Sequence, residues 1–311
     1  MKILITGIHG FVGLNLVESL SAQNEIYGLG TTKKPLKLVE KIYLWEDLQH
    51  GGIPDMDVII HLAGISQIDE KIPEDNYIQA NTKLTELIYN YFRFSSAKKF
   101  IFMSSIKAVD EFSDEPITEL SAPNPQTNYG KSKLKAEEYI LKNPSLGKKM
   151  VYILRSSIIS GVKKTGGLFH LYSFIKKIGF WPFGAYIGKK TFTSISNLEF
   201  VIGCLLRQDI ESGIYNVVDD DSISMNNIVK SISYSIKKPI RILNIPQRYI
   251  TTLALLGSYL HLSFNMKKIE KISLNLEVCN AKIKKAIGVQ SMPFSAQEGI
   301  SVAIRSIIKE S

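Results

Sequence analysis

Cysteine is nearly absent from this chain of 311 residues: Cys204 and Cys279 are the two, far apart in sequence. Isolated thiols give neither a disulfide framework nor the paired spacing of a metal site, and the five histidines do not cluster either. Long hydrophobic runs are missing too. The most apolar late stretch, ITTLALLGSYLHLSF from Ile250 to Phe264, is interrupted by Thr, Gly, Ser and His. It falls short of the roughly 18 to 20 apolar residues that a spanning helix needs. Packing within the protein is the expectation for this stretch, with peripheral membrane contact as the alternative. No internal repeat and no low-complexity linker is present. The opening MKILITGIHG passes straight into a strand and a glycine loop, leaving no room for a signal peptide, so a cytoplasmic location is expected.

What remains is the composition of a globular protein, with 45% hydrophobic residues, enough for a sizeable core. The formal net charge of +9 suits an anionic partner. Its Lys and Arg residues are scattered in twos rather than gathered into a tract, which argues against nucleic acid and for a small anion such as a phosphate ester.

The first half alternates short apolar runs with helical text. KILIT, EIYGLG, DVIIHLAG, KKFIFMSS and MVYILR read as buried strands, and NTKLTELIYNYF between two of them carries a helical period. Such alternation predicts an α/β fold: a doubly wound parallel Rossmann sheet with helices on both faces. After Arg155 the rhythm changes to glycine- and aromatic-rich text, GGLFHLYSFIKKIGFWPFG, and GIYNVVDD looks like one further strand. We expect a dinucleotide-binding domain over residues 1–159 plus about 186–221, and a smaller mixed α/β C-terminal substrate lobe over about 160–185 plus 222–311.

TGIHGFVG places Gly7, Gly10 and Gly13 directly after the first strand and before a helix. One glycine makes the tight turn, another lets backbone approach a pyrophosphate, and the third permits close packing of helix on strand, with the helix N-terminus facing the anion. The acidic residue that would hold a ribose 2′-hydroxyl belongs at the end of the second strand, yet YGLGTTKK stands there. Thr31, Thr32, Lys33 and Lys34 can instead receive a 2′-phosphate, which favours NADP over NAD. Asp47, in WEDLQ, is a candidate for contact with the adenine ring.

These features, together with HLAG at His61 to Gly64, Asn81, FMSSIKAV, YGKSK, LRSSIISG and the closing SMPFSAQEGI, resemble the extended short-chain dehydrogenase/reductases, the NAD-dependent epimerases and dehydratases of nucleotide sugars. The resemblance spans nearly the whole chain. It implies a catalytic Ser105, Tyr129 and Lys133, the last two matching a Tyr-x-x-x-Lys pair. One helical turn puts Tyr129 and Lys133 on one face, where an ammonium charge lowers a phenol pKa and fits Tyr129 for proton transfer at a sugar hydroxyl or ketone. The resemblance further implies a cofactor lined by Phe11, Val12, Leu48, Leu62, Ala63 and Gly64, with Asn81 positioning the site and Lys133 on the nicotinamide ribose. Ser105, Ser156 and Lys190 are the implied substrate contacts, Lys190 standing where the family often has an arginine. His61 reads as a packed strand residue.

Dehydratases of the family need an acid beside the catalytic Ser, and here that place is Ile106. C4 epimerisation of a UDP-sugar in surface polysaccharide biosynthesis and NADPH-dependent reduction of a 4-keto sugar remain, the first slightly favoured. A non-catalytic dinucleotide sensor would have lost the Tyr or the Lys. A sugar carried on a polyprenyl lipid is a third substrate reading, and a homodimer is the assembly usual in the family.

Overall fold

The computed structural model describes residues 1–69, 71–161, 167–260 and 264–309. The first half holds strands β1 (Lys2–Thr6), β2 (Glu25–Gly30), β3 (Lys41–Leu44), β4 (Val58–His61), β5 (Lys99–Ser105) and β6 (Met150–Ser156). Between them run helices α1 (Phe11–Leu20), α2 (Trp45–Gln49), α3 (Glu74–Tyr77), α4 (Leu84–Phe94) and α5 (Asn128–Lys142). The second half adds β7 (Ile158–Ser160), α6 (Gly167–Ile178), β8 (Phe180–Trp181), β9 (Lys189–Ser194), α7 (Ile195–Arg207), β10 (Gly213–Val217) and β11 (Ser222–Ser224). It continues with α8 (Met225–Ser235), β12 (Arg241–Ile242), α9 (Gln247–Tyr259), α10 (Met266–Ser273), α11 (Ala281–Ile287) and α12 (Ala296–Lys309).

Seven parallel strands form the central sheet in the order β10-β6-β5-β4-β1-β2-β3. The expected doubly wound fold is therefore present, with two small sheets beside it, β11-β9-β7 and β12-β8. Strand order reverses between β1 and β4, the place where open α/β sheets gape at their carboxyl ends.

Each strand feeds two cores because successive side chains point to opposite faces. In β1, Ile3 and Ile5 pack with Leu16 of α1 and Leu198 and Val201 of α7, whereas Leu4 packs with Ile88 and Phe92 of α4 and Ala136 of α5. All seven residues of β5 are buried, as a strand covered on both faces requires. A third core joins Tyr172, Trp181, Ile228, Ile232, Ile250, Ile300 and Ile304 away from the sheet. Ile283, Ile287 and Met292 return to the sheet's core against α7 and β10. The apolar stretch near residue 250 behaves otherwise than its expected packing: α9 buries Ile250, Ala254 and Gly257 and leaves its larger residues outside.

Glu199 of α7 feels the charge of Glu18 of α1, the helix packed beside it on the same face of the sheet; burial first, then that charge, push its carboxyl up to about 7. A raised carboxylate pKa favours folding at low pH and loses that contribution as pH rises through about 7. Because Glu199 is only half buried, the penalty at pH 8 is about 1 to 2 kcal/mol after screening. Glu199→Gln should therefore raise stability in urea at pH 8 and leave it unchanged near pH 4; equal gains at both values would contradict this origin.

Candidate active site

A cleft of about 1120 Å3 opens at the carboxyl ends of β1, β2, β4, β5 and β6. Its floor begins at the turn from Gly7 to Gly13. Gly7 has φ +68°, a region that favours glycine, and a Cβ there would lie 2.8 Å from backbone atoms of Ala63. At Gly13 a Cβ would lie 2.5 Å from the Ile8 carbonyl oxygen, so α1 can pack this closely on the turn only with glycine. The N-cap, Gly10, supplies no side-chain cap to α1, and the first turn holds no acidic residue. Backbone N–H groups and the positive end of the helix dipole thus face the cleft, the setting a dinucleotide pyrophosphate fits.

The next wall is pinned by a polar chain running down from β1. The Thr6 hydroxyl accepts from the backbone N–H groups of Leu62 and Ala63 (3.2 and 3.1 Å) and lies 2.6 Å from Nδ1 of His61. Nε2 of His61 lies 2.9 Å from Oγ1 of Thr85, whose proton goes to the Asn81 carbonyl at 2.6 Å. The chain closes if Nε2 carries the ring proton. Burial, then the charge of Lys133, hold His61 well below the usual imidazole range, so the ring is a neutral strut, as its strand position suggested.

Asn81 sits in a π-helical turn, Ile78–Lys83, between α3 and α4. Its Oδ1 accepts from the Ile65 N–H at 2.8 Å, while Nδ2 donates to the Ile65 carbonyl at 3.1 Å and to the Ser132 hydroxyl at 2.9 Å. The wide turn thereby ties the loop after β4 to α5, the helix that carries Tyr129 and Lys133.

At the end of β5, Ser105 is buried, lines the cleft with Tyr129, and lies near enough to lower the phenol's pKa. Burial raises the Tyr129 pKa and the Ser105 contact opposes that rise. Lys133 donates to the Met103 carbonyl at 2.9 Å, with its ammonium 4.8 Å from the centre of the Phe102 ring. Burial pulls Lys133 down to about 8, and the carboxylate of Glu137, one turn further along α5, works in the opposite direction. Glu137 itself is buried and gripped by Arg155, Nη2 to Oε2 at 2.7 Å, and it also accepts from the Ser104 hydroxyl. A phenol, a hydroxyl and a lysine in one recess can move a proton to and from an oxygen on a substrate carbon.

Gly7, Gly10, Phe11, Val12, Gly13, Thr31, Leu62, Ala63, Gly64, Ser105, Tyr129, Lys133 and Ser156 all line the cleft. Six expected contacts do not: Lys33, Lys34, Asp47, Leu48, Asn81 and Lys190. Asp47 spends Oδ2 on the Leu44 N–H at 2.7 Å, capping α2, and Lys33 lies 3.6 Å from it. Leu48 points into the sheet core, and Asn81 acts one layer behind the wall. Lys190 donates to the Leu274 carbonyl at 3.0 Å, stacked 5.0 Å from the Phe112 ring, and burial, then Lys107, lower its pKa to about 8. Ile106, where a dehydratase acid would stand, is buried among Val109, Ile117 and Leu276.

The cleft also uses residues that no local pattern marks. His9 lines it while its Nε2 bonds the Lys34 carbonyl at 2.9 Å. Trp45, Ser66 and Gln67 enter beside it, and His170 of α6 and Lys271 of α10 come from the second half of the chain.

Residues 3–170 match the profile of the NAD dependent epimerase/dehydratase family. The chain is 25% identical over 322 aligned positions to the UDP-glucose 4-epimerase of Vibrio cholerae, covering 99% of this chain and 96% of that protein. It is 27% identical over 270 positions to the N-acetyl-alpha-D-glucosaminyl-diphospho-ditrans,octacis-undecaprenol 4-epimerase of Escherichia coli O157:H7, covering 83% and 78%. Among solved structures, the UDP-glucuronic acid 4-epimerase from Bacillus cereus in complex with NAD superposes with a TM-score of 0.76 at 18% identity, covering 99% and 97%.

Proposed function

The chain belongs to the NAD dependent epimerase/dehydratase family, and from that premise we propose that it is a UDP-sugar 4-epimerase acting on a hexose or N-acetylhexosamine. The observation that carries the reading is the meeting of Ser105, Tyr129 and Lys133 in one recess beside the glycine turn. Gly7 to Gly13 and the start of α1 hold the pyrophosphate, Leu62 to Gly64 the middle of the dinucleotide, and Lys133 the ribose nearest the reaction. When bound, the oxidised nicotinamide dinucleotide supplies a positive charge and a place for the C4 hydride. Tyr129 takes the proton of the C4 hydroxyl as that hydride leaves, and Ser105 hydrogen-bonds the same oxygen. The 4-keto sugar turns over in the cleft, and Tyr129 returns the proton when hydride comes back on the other face. Ile106 offers no acid for loss of a C6 hydroxyl, so water is not eliminated.

For the dinucleotide we infer the 2′-phosphorylated form, because Gly30, Thr31 and Thr32 bring no carboxylate to the cleft and Lys33 follows them directly in sequence. NADPH should bind at least ~5-fold more tightly than NADH in fluorescence titration, and Lys33→Glu should erase the preference. Equal affinities in the unaltered protein would instead assign NAD. The same absent carboxylate favours a second reading, reduction of a UDP-4-keto-6-deoxy sugar by NADPH. The test is incubation with UDP-N-acetylhexosamines and a catalytic amount of cofactor: interconversion with no net cofactor consumption supports the epimerase. Reaction of 4-keto sugars alone, one reduced cofactor each, makes the reductase the correct reading. The relative from E. coli O157:H7 raises a further substrate for the same chemistry, a sugar linked through diphosphate to a polyprenol.

A further inference from the structure

Helix α9 is built inside out. The stripe it turns inward, Ile250, Ala254 and Gly257, is narrow and mostly small, and Gly257 lies so close to the Phe264 carbonyl that a Cβ has no room. On the other side Tyr249, Leu253, Leu256 and Leu260 recur at i, i+4, i+7 and i+11, one line along the helix. Their exposures are 54%, 57%, 54% and 59%, and Leu255 and Tyr259 beside that line are 56% and 83% exposed. Single exposed leucines are ordinary, but five large apolar side chains on one helix and a sixth, Leu260, at its C-cap form a patch of the kind that meets another apolar phase.

The charge around the patch selects that phase. From Ser222 to Ile269 the chain has seven Lys and Arg and no Asp or Glu. From Ser160 to Leu198 it has six and again none. These two segments therefore carry thirteen cations, more than the whole net charge of +9, and the other residues together are acidic by four. Lys237, Lys238, Arg241, Arg248 and Lys268, in the segment that contains α9, are all exposed. A second copy of this chain seated on α9 would bring two such cationic surfaces together, which is repulsive. Negatively charged lipid headgroups over acyl chains match both the charge and the apolar line.

We propose that the outward face of α9 docks this protein on an anionic lipid bilayer, with the leucine line at the acyl boundary and the basic residues among the headgroups. The arrangement ties the membrane to the cleft. Ser258 of α9 accepts from the Met266 N–H of α10 at 3.0 Å, and α10 carries Lys271, which lines the cleft. The bilayer would lie one helix from the wall of the active site. This inference stands on α9 and its charge, independently of which sugar is turned over.

Flotation of the full chain with vesicles tests it. The protein should float with phosphatidylglycerol–phosphatidylcholine vesicles, less so with phosphatidylcholine alone, and should be released by salt. Leu253→Gln with Leu256→Gln should weaken partitioning at least ~10-fold, since two half-exposed leucines give up their transfer into the acyl phase. The double variant's thermal melt should match that of the unaltered chain, because both side chains already face outward. Three results overturn the proposal: no flotation of the unaltered chain, undiminished flotation of the double variant, or an oligomer in solution that the double variant dissociates without vesicle binding having been seen. The last would make a second copy the occupant.

Discussion

Tyr129→Phe should lower kcat by about 10^3-fold while leaving dinucleotide binding within about twofold of the unaltered chain. The expectation follows from where the hydroxyl sits. The ring is nearly buried, packed edge-on against Tyr77 with centroids 6.5 Å apart, so phenylalanine fills the same space. What disappears is the phenolic proton near Ser105. Burial alone would keep the phenol protonated, and in the structure Ser105, not Lys133, opposes it; an oxidised nicotinamide, when bound, would add positive charge to the same end. The segments proposed to hold the pyrophosphate and the middle of the dinucleotide, Gly7 to Gly13 and Leu62 to Gly64, lie on other elements. Single-turnover kinetics and a cofactor titration on one preparation check both halves. Retained turnover would remove Tyr129 from the mechanism, and lost cofactor binding would show that the substitution had disturbed the cleft rather than the chemistry.

Arg155→Leu should destabilise the fold by about 3 to 5 kcal/mol, the largest loss we expect from any single surface-silent substitution. Arg155 on β6 and Glu137 on α5 are 3% and 1% exposed, joined by Nε and Nη2 to both carboxylate oxygens at 2.7 to 3.2 Å. Removing the guanidinium leaves Glu137 buried with the Ser104 hydroxyl as its remaining side-chain donor. Equilibrium unfolding in urea measures the loss; a change under about 1 kcal/mol would mean the pair is not desolvated as its burial indicates. The same carboxylate supports catalysis. Glu137 raises the Lys133 pKa against the pull of burial, so in Glu137→Gln the ammonium should lose its proton further below 8 and the alkaline limb of kcat/KM should move to lower pH.

The glycine turn and the Tyr129–Lys133 pair were readable because each is local: a turn and one helical repeat fix their geometry whatever surrounds them. The parallel sheet was readable for a similar reason, since β4 and β5 are apolar over most of their length without alternating, as strands covered on both faces require. Lys190 escaped because its partner, the Leu274 carbonyl, is brought to it from 84 residues away, and no spacing near Lys190 reports that. Asp47 was a candidate for the adenine from its place in WEDLQ and Leu48 from the family resemblance, yet the start of α2 uses Asp47 as its cap and the sheet core takes Leu48 as filling. His170 and Lys271 reach the cleft only through the packing of the second half of the chain. In the stretch from Ile250 the apolar residues fall on both faces of the helix, so composition could not say which one turns out.

The central claim is that hydride leaves and returns at C4 of one sugar while Ser105, Tyr129 and Lys133 manage its proton. It is tested most directly with deuterium at C4 of UDP-N-acetylglucosamine, read in both C4 epimers by mass spectrometry. The account predicts that the label stays on C4 of the product with no net change in reduced cofactor, and that Tyr129→Phe stops its passage. Appearance of the label in solvent during epimerisation would contradict it.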